Sequence, residues 1–428
     1  MKSKIYERIG EQLYHERLAN GLQIYVVKKP DFRKSMAFFT TRYGGADTRY
    51  IIGSELRDTP AGIAHFLEHK TFEMKEGDAL TSFSKNGASA NAFTSADMTA
   101  YFFECTDHLS ENLELLLSFV SKPYFTEESV ARERGIIGQE IKMTEDSPDF
   151  VIYHNLLNCL YKDNPIKNAV AGTVESIGEI TADTLYKCHK VFYHPSNMAL
   201  CVIGNIEPDA VADMAERVLT KTASVSPERD YGASETRSPV SKYIEAEMEV
   251  GLPMFLIGVK VPSLKRGDEI LKQSVTAELA LDYLAGQSSP LYARLYADGD
   301  INGEFSTDFE VTAGASMALI GGESRDPELV KAKLKKEIRR ILSEGVDDAL
   351  FGRLKKAAVG DELRGLNSFD NMCYNITRGG FFGYDALRAV EMTLAVTPED
   401  ISEFIRENLK PDNFAMSVVR SPEKGQVV

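Results

Sequence analysis

Asp58-Thr59-Pro60-Ala61-Gly62-Ile63-Ala64-His65-Phe66-Leu67-Glu68-His69-Lys70-Thr71-Phe72-Glu73 is the stretch from which the rest of the chain is read. Its pattern predicts a helix. Asp58 or Thr59 can cap the N-terminus, and Pro60 suits the first helical position, where a missing N–H costs nothing. His65 and His69 are four residues apart, so both imidazoles leave one helical face a turn apart and can reach one metal ion. Glu68 stands on the same flank, next to His69. The pattern is His-x-x-Glu-His, the inverted form of the His-Glu-x-x-His zinc motif. Zinc takes neutral imidazole nitrogens and keeps an open position for water, and a nearby carboxylate can take that water's proton. Two His at this spacing also suit an ordinary polar face, and a third ligand has to come from elsewhere in the chain.

Length and composition set the frame. The 428 residues suffice for two or three domains, and 43% hydrophobic with 26% charged residues is the balance of a soluble globular protein. A net charge of −15, from 64 acidic and 49 basic residues, argues against a nucleic-acid partner, which needs a basic surface. It is compatible with a cationic peptide substrate, although acidity commonly serves solubility alone. The start, Met1-Lys2-Ser3-Lys4-Ile5-Tyr6-Glu7-Arg8, lacks the apolar core of a signal peptide, and no apolar run reaches the length of a membrane span. The five cysteines (Cys105, Cys159, Cys188, Cys201, Cys373) are scattered and form no Cys-x-x-Cys, which reads as reduced core residues of a cytoplasmic protein.

Along the chain, Leu18–Val27 and Ser35–Tyr43 read as strands, the first with an Asn20-Gly21 turn at its start. After the motif helix come a short helix at Asp78–Asn86, stopped by Gly87, and paired strands at Ala90–Thr94 and Thr99–Cys105. Leu113, Leu116, Leu117 and Val120 give Leu109–Ser121 a helical apolar face. Thr126–Thr144 reads as a long helix with Thr126 as its cap and Glu127 and Glu128 in its first turn. Glu133 and Glu140, seven residues apart, share one of its faces. They fit two solvated carboxylates on an acidic surface, and they also fit the need of the His pair for a further ligand. Helices are expected over Pro148–Tyr161, Thr181–Tyr193 and Pro208–Lys221, with a strand at Asn197–Gly204. Thr222–Ser241, rich in Ser, Pro, Glu and Arg, reads as a linker, giving domains 1–221 and 241–428 about a linker of 222–240.

The second half repeats the first at a constant offset of 216 residues: Thr181 matches Thr397, Pro195 matches Pro411, Asn197 matches Asn413, Ala199 matches Ala415 and Val202 matches Val418. The offset carries His65-Phe66-Leu67-Glu68-His69 onto Leu281-Asp282-Tyr283-Leu284-Ala285, and Glu140 onto Lys356. A duplicated second copy would therefore hold no metal ligands.

Taken together, these segments resemble the insulinase/pitrilysin family of inverzincin metallopeptidases, in the short two-domain branch related to mitochondrial processing peptidase. The family's zinc helix matches Gly62 through His69, and its third ligand matches Glu140 on a Glu-Arg-containing helix. An acidic residue seven positions earlier matches Glu133. The Asn-Ala-x-Thr-Ser segment stands as Asn91-Ala92-Phe93-Thr94-Ser95, Gly-Thr-x-Glu-Ser as Gly172-Thr173-Val174-Glu175-Ser176, and Tyr-x-Pro-x-Asn-Met as Tyr193-His194-Pro195-Ser196-Asn197-Met198. The resemblance covers nearly the whole chain.

What the resemblance implies is specific. The fold class would be α+β, with two homologous domains of mixed sheet and helices and two subunits closing as a clamshell. His65, His69 and Glu140 would bind one Zn²⁺ per chain, Glu68 would activate water, and Glu133 would orient a ligand. Ala90, Asn91, Ala92 and Phe93 would form the edge on which a peptide adds as an extra strand, where the residues alone allow an ordinary hairpin strand. The family's substrate-holding Arg and Tyr are expected between Leu295 and Phe305. Tyr296 stands at the Arg position, Asn302 or Phe305 at the Tyr position, and Arg294 is out of register. The chain thus resembles the zinc-bearing member of a pair: a zinc-dependent endopeptidase of unstructured peptides, working as a homodimer or with a homologous subunit that carries the Arg/Tyr pair. The alternatives are a non-catalytic scaffold subunit of the same fold and a maturation factor for one dedicated peptide. The other histidines (His15, His108, His154, His189, His194) are isolated and read as ordinary surface or core residues.

Overall fold

A computed structural model describes residues 1–219, 227–264 and 267–422. Two compact units emerge, each a mixed sheet packed against helices. The first comprises 1–141, 168–231 and 363–387, and the second 142–167, 232–362 and 388–428, of which 265–266 and 423–428 lie outside the described residues.

In the first unit, seven described strands lie in the order Lys2–Tyr6, Glu11–Arg17, Gln23–Lys28, Met198–Gly204, Ser35–Thr41, Thr99–Cys105, Ala88–Thr94. Met198–Gly204 runs parallel to Gln23–Lys28, and the other neighbours are antiparallel. The strand expected from Leu18 starts instead at Gln23. The Asn20 side chain accepts the Leu22 N–H at 3.1 Å, so residues 18–22 form the hairpin turn. The helix Leu109–Ser121 buries Leu113, Leu116, Leu117 and Val120, as its spacing requires. Each such side chain removed from water contributes roughly 1.5–3 kcal/mol.

The motif helix spans Ile63–Thr71 and buries Ile63, Ala64, Phe66 and Leu67 in the same core. Its start differs from the sequence expectation. Asp58 ends a short strand, Glu55–Asp58, and the helix is capped by Gly62 with φ of 91° and no side-chain cap bond. The reason is a close backbone crossing. A Cβ on Gly62 would lie 2.4 Å from the Ala171 carbonyl oxygen, and one on Gly172 would lie 2.4 Å from that of Ala61. Ser176 Oγ donates to Ala61 O at 2.8 Å, and Thr173 and Ser176 form a capping box on the helix Val174–Gly178. The Gly-Thr-x-Glu-Ser segment thus fixes where the motif helix begins.

The five described strands of the second unit lie in the order Tyr243–Glu247, Ala415–Arg420, Met254–Val261, Ala315–Glu323, Ser306–Thr312. This repeats the order and directions of the last five strands of the first sheet. Val202 pairs with Val26 and Ala37, and Val418, its match at the 216-residue offset, pairs with Glu245 and Phe255 in the equivalent strands. The duplication is therefore structural. Leu281, Tyr283, Leu284 and Ala285, which replace the motif residues, are buried in the helix Asp268–Ala285, while Lys356 is exposed on the helix Asp348–Gly365.

The units are not the contiguous halves 1–221 and 241–428. Helix Pro148–Leu160 packs on strands of the second sheet, and helix Phe369–Phe382 on strands of the first. Gly258 lets Leu156 and Leu160 lie directly on its strand, since a Cβ there would meet both at 2.9 Å. The central strands Ser35–Thr41 and Met198–Gly204 are buried at every position, hence on both faces, and each sheet receives one helix from the other half of the chain. The expected linker also needs correction. Residues 222–226 lie outside the described residues, but Glu228–Arg229 pairs with strand Arg49–Ile52, and Tyr231 donates to buried Asp47 at 2.9 Å. Further on, Glu235 Oε1 accepts the backbone N–H groups of Lys162, Asp163 and Asn164. This segment is tied down by hydrogen bonds that its composition does not announce.

The crossing at Gly62 makes one prediction. Gly62→Ala forces both a left-handed alanine and a displaced Ala171 carbonyl, and should destabilise the protein by about 1–3 kcal/mol. Urea unfolding checks this, with the neighbouring exposed Gly53→Ala, whose Cβ would meet nothing within 4 Å, as the reference for the φ effect alone.

Candidate metal centre

Three elements of the first unit build the site. The motif helix supplies His65, Glu68 and His69. The long helix Glu127–Glu145, capped by Thr126 Oγ1 accepting the Ser129 N–H at 3.1 Å, supplies Glu133 and Glu140. The edge strand Ala88–Thr94 lies beside the motif helix.

Spacing on one helix joins His65 to His69, and the family resemblance adds Glu140; the fold brings all three together. His65 Nε2 lies 3.4 Å from Glu140 Oε1, and His69 Nε2 lies 3.6 Å from Glu140 Oε2. One donor atom from each of the three lies within 4.8 Å of the others, and among the described residues no other such group of three His, Cys, Asp or Glu occurs. Zinc–nitrogen and zinc–oxygen bonds of 2.0–2.2 Å in a tetrahedron put neighbouring ligand atoms about 3.3–3.6 Å apart. The two separations, each to a different oxygen of Glu140, are of that size, and with one donor atom of each residue within 4.8 Å of the others the donor set fits Zn²⁺. The imidazoles are 4.6 Å apart between centroids and tilted by 57°.

Electrostatics suit the same role. Burial, then the neighbouring His69, pushes His65 down to about 4, which keeps it a neutral ligand. Burial would also lower His69, but its hydrogen bond to Glu133 and the charges of Glu68, Glu133 and Glu140 outweigh that and raise it. The bond joins His69 Nδ1 to Glu133 Oε1 at 3.0 Å, which leaves Nε2 for the side facing Glu140. Burial would raise Glu133, yet the hydrogen bond to His69 and the charges of His69 and Lys70 bring it below the ordinary carboxylate range.

Glu68 sits beside the three. Burial holds its carboxyl above the ordinary range, against the opposing hydrogen bond from Thr94. Thr94 Oγ1 donates to Glu68 Oε2 at 2.6 Å, Thr94 pairs with Thr99 across the hairpin, and Thr99 Oγ1 donates to Tyr43 O at 2.8 Å. Thr94 is the functional contact that sequence reasoning passed over. It was visible as one residue of a five-residue segment, but nothing in the segment says which side chain faces Glu68.

Ala90, Asn91, Ala92 and Phe93 lie in the strand that borders the sheet, paired on one side with Thr99–Cys105. The Ala92 N–H donates to the Asn91 side chain at 2.9 Å, so this backbone donor faces the open edge. Phe93 packs near Phe38, Phe102 and Tyr374. In the second unit, Arg294 donates to Glu337 at 2.6 Å, Tyr296 is exposed, Asn302 donates to Glu323 at 2.5 Å and Phe305 is buried. The isolated histidines have ordinary partners; His189, for example, is buried with Nε2 2.8 Å from Val120 O. All five cysteines are buried and unpaired, and no described helix is long and apolar enough to cross a membrane.

The chain is similar to known peptidases in sequence and in fold. A family model described as Insulinase (Peptidase family M16) matches residues 52–174, and one described as Peptidase M16 inactive domain matches residues 179–358. A curated relative, described as the uncharacterized zinc protease YmfH of Bacillus subtilis, is 40% identical over 423 residues, covering 97% of this chain and 98% of that protein. The crystal structure of an M16-like peptidase from Alicyclobacillus acidocaldarius superposes with a TM-score of 0.91 at 31% identity, over 96% of this chain and 99% of that one. Pitrilysin shares the fold, with a TM-score of 0.77 at 18% identity over 98% of this chain and 46% of its own. The chain belongs to the insulinase/pitrilysin family of peptidases, in its short two-domain form.

The donor set makes a prediction about metal. Glu140→Gln replaces a charged oxygen ligand with a neutral amide. It should bring bound zinc well below one per chain by metal analysis, with an unchanged circular dichroism spectrum. A full complement of zinc in this variant would mean that a different group completes the site.

Proposed function

We propose that this protein is a zinc-dependent endopeptidase of extended, unstructured peptide segments. The observation that carries the reading is the meeting of His65, His69 and Glu140, with one donor atom of each within 4.8 Å of the others and Glu68 alongside. His65, His69 and Glu140 would hold the ion. When bound, zinc supplies Lewis-acid activation of water and of the scissile carbonyl.

The chain's own groups do the rest. Glu68 accepts a proton from the attacking water and returns it to the leaving amine. Thr94 holds one oxygen of Glu68 and so aims the other. The free side of the strand Ala88–Thr94 offers backbone donors and acceptors to a substrate lying as an added strand, with side chains alternating about it. A scaffold would have no use for three converging ligands and a hydrogen-bonded carboxylate, which favours the enzyme over the non-catalytic alternative.

Glu68→Gln keeps the shape of the site and removes the proton acceptor. It should retain zinc and lower peptide hydrolysis about 10²–10⁴-fold, as removal of a general base does. Turnover within a few-fold of the unaltered protein would count against the assignment and leave the scaffold reading standing.

The partner forms the second part of the proposal. The one arginine near the expected substrate clamp, Arg294, is held by Glu337, and the positions expected to carry Arg and Tyr hold Tyr296, Asn302 and Phe305. We infer that full activity needs a homologous chain supplying the clamp. The protein alone should cleave a panel of unstructured peptides weakly, and a partner carrying Arg/Tyr without the His-x-x-Glu-His should raise the rate. Robust turnover alone, abolished by Glu68→Gln, would refute the need for a partner.

A further inference from the structure

Lys70 follows the second histidine of the motif directly, and its side chain is 1% exposed. Lysine is almost never buried to this degree without a charged partner. Here it has two. Its Nζ donates to Glu73 Oε2, and it stands 4.0 Å from Glu133 Oε2. The other oxygen of Glu133 meets His69 Nδ1 at 3.0 Å, and the other oxygen of Glu73 lies 3.7 Å from Arg132 Nη2. Charges therefore alternate along a continuous row, Arg132, Glu73, Lys70 and Glu133, which ends on the His69 ring.

The geometry of Glu133 gives this row a purpose. A carboxylate held at one oxygen can turn about its last torsion, which is broad for Glu. A cation beside the second oxygen opposes that turn. His69 Nδ1 holds Oε1 at hydrogen-bond distance, and the Lys70 charge, 4.0 Å from Oε2, attracts the other oxygen, which favours the orientation that aims Oε1 at Nδ1. That aim sets the His69 tautomer, with the proton on Nδ1 and the lone pair on Nε2, the nitrogen facing Glu140. His65 differs: its Nδ1 is buried without a hydrogen-bond partner among the described residues, so no carboxylate orients its ring from that side.

We propose that Lys70 is a positioning residue for the metal site, acting through Glu133 to hold His69 in its ligating orientation. The inference rests on the reading of His65, His69 and Glu140 as zinc ligands. A Lys70 that served only to neutralise Glu73 would have no route to the metal through Glu133, and the two cases separate in a double-mutant cycle.

The experiment uses the full chain, stripped of metal and titrated with zinc against a chromophoric chelator, with the absorption spectrum of the Co²⁺-loaded protein as a second readout. The variants are Lys70→Met, Glu133→Gln and the two combined. Methionine keeps the unbranched stem and removes the charge; if it does not fold, Lys70→Gln, whose amide can still donate, is used in its place. Loss of a group that orients a ligand typically costs 10–100-fold in metal affinity. Glu133→Gln should fall in that range, Lys70→Met should cost about tenfold and shift the Co²⁺ bands, and the combination should bind no more weakly than Glu133→Gln alone. Zinc affinity of Lys70→Met within twofold of the unaltered protein overturns the inference. So does an equal loss in the presence and absence of Glu133, which would place the action of Lys70 elsewhere. If the unaltered protein binds no zinc, or Glu140→Gln binds it undiminished, the ligand reading fails and this inference falls with it.

Discussion

One helix of this length can bring two imidazoles to a metal ion but not a third ligand at tetrahedral distance, so the site depends on the packing of a second helix against the first. The contact between the motif helix and Glu127–Glu145 is therefore the constraint that the rest of the first unit serves. It puts both oxygens of Glu140 between His65 and His69, at 3.4 and 3.6 Å. Two turns earlier on the same helix, Glu133 reaches the back of His69. The apolar side of the motif helix, with Ile63, Phe66 and Leu67 buried, sets its depth, and the backbone crossing of residues 61–62 with 171–172 sets where it starts.

The duplication shows what the scaffold requires apart from chemistry. Strand order and direction repeat in the second unit, so the sheet and its helices are what the two copies share. In the second copy the equivalents of the motif residues have become an ordinary buried helical face around Leu281, Tyr283 and Leu284. A His or Glu kept there without a partner ligand would leave a buried polar group unsatisfied, at a cost of about 1–3 kcal/mol. Apolar residues at these positions avoid that cost. The description of the matching family model as an inactive domain accords with this.

Glu68 and Glu133 illustrate how one protein sets two nearby carboxylates apart. Both are partly buried, and burial alone would raise both. Glu133 is lowered by the His69 hydrogen bond and by the Lys70 charge, whereas Glu68 remains raised, with a hydroxyl donor in place of a cation. The difference lies in which neighbours the fold supplies.

The sequence by itself determined the chemistry within reach of one helix. His65, Glu68 and His69 follow from spacing alone, because i and i+4 positions share a face whatever the surroundings. It also carried the 216-residue repeat, since Val202 and Val418 keep equivalent strand pairings. Glu140 and Glu133 could be paired with the motif only through the family resemblance, because spacing on one helix cannot say what that helix packs against. What only the tertiary structure decided is non-local. The start of the motif helix at Ile63 comes from a chain crossing more than a hundred residues away in sequence, and the Thr94–Glu68 bond from a hairpin lying against a helix. The exchange of helices Pro148–Leu160 and Phe369–Phe382 between the sheets follows from the need to cover both faces of each, a demand that no local pattern of residues records.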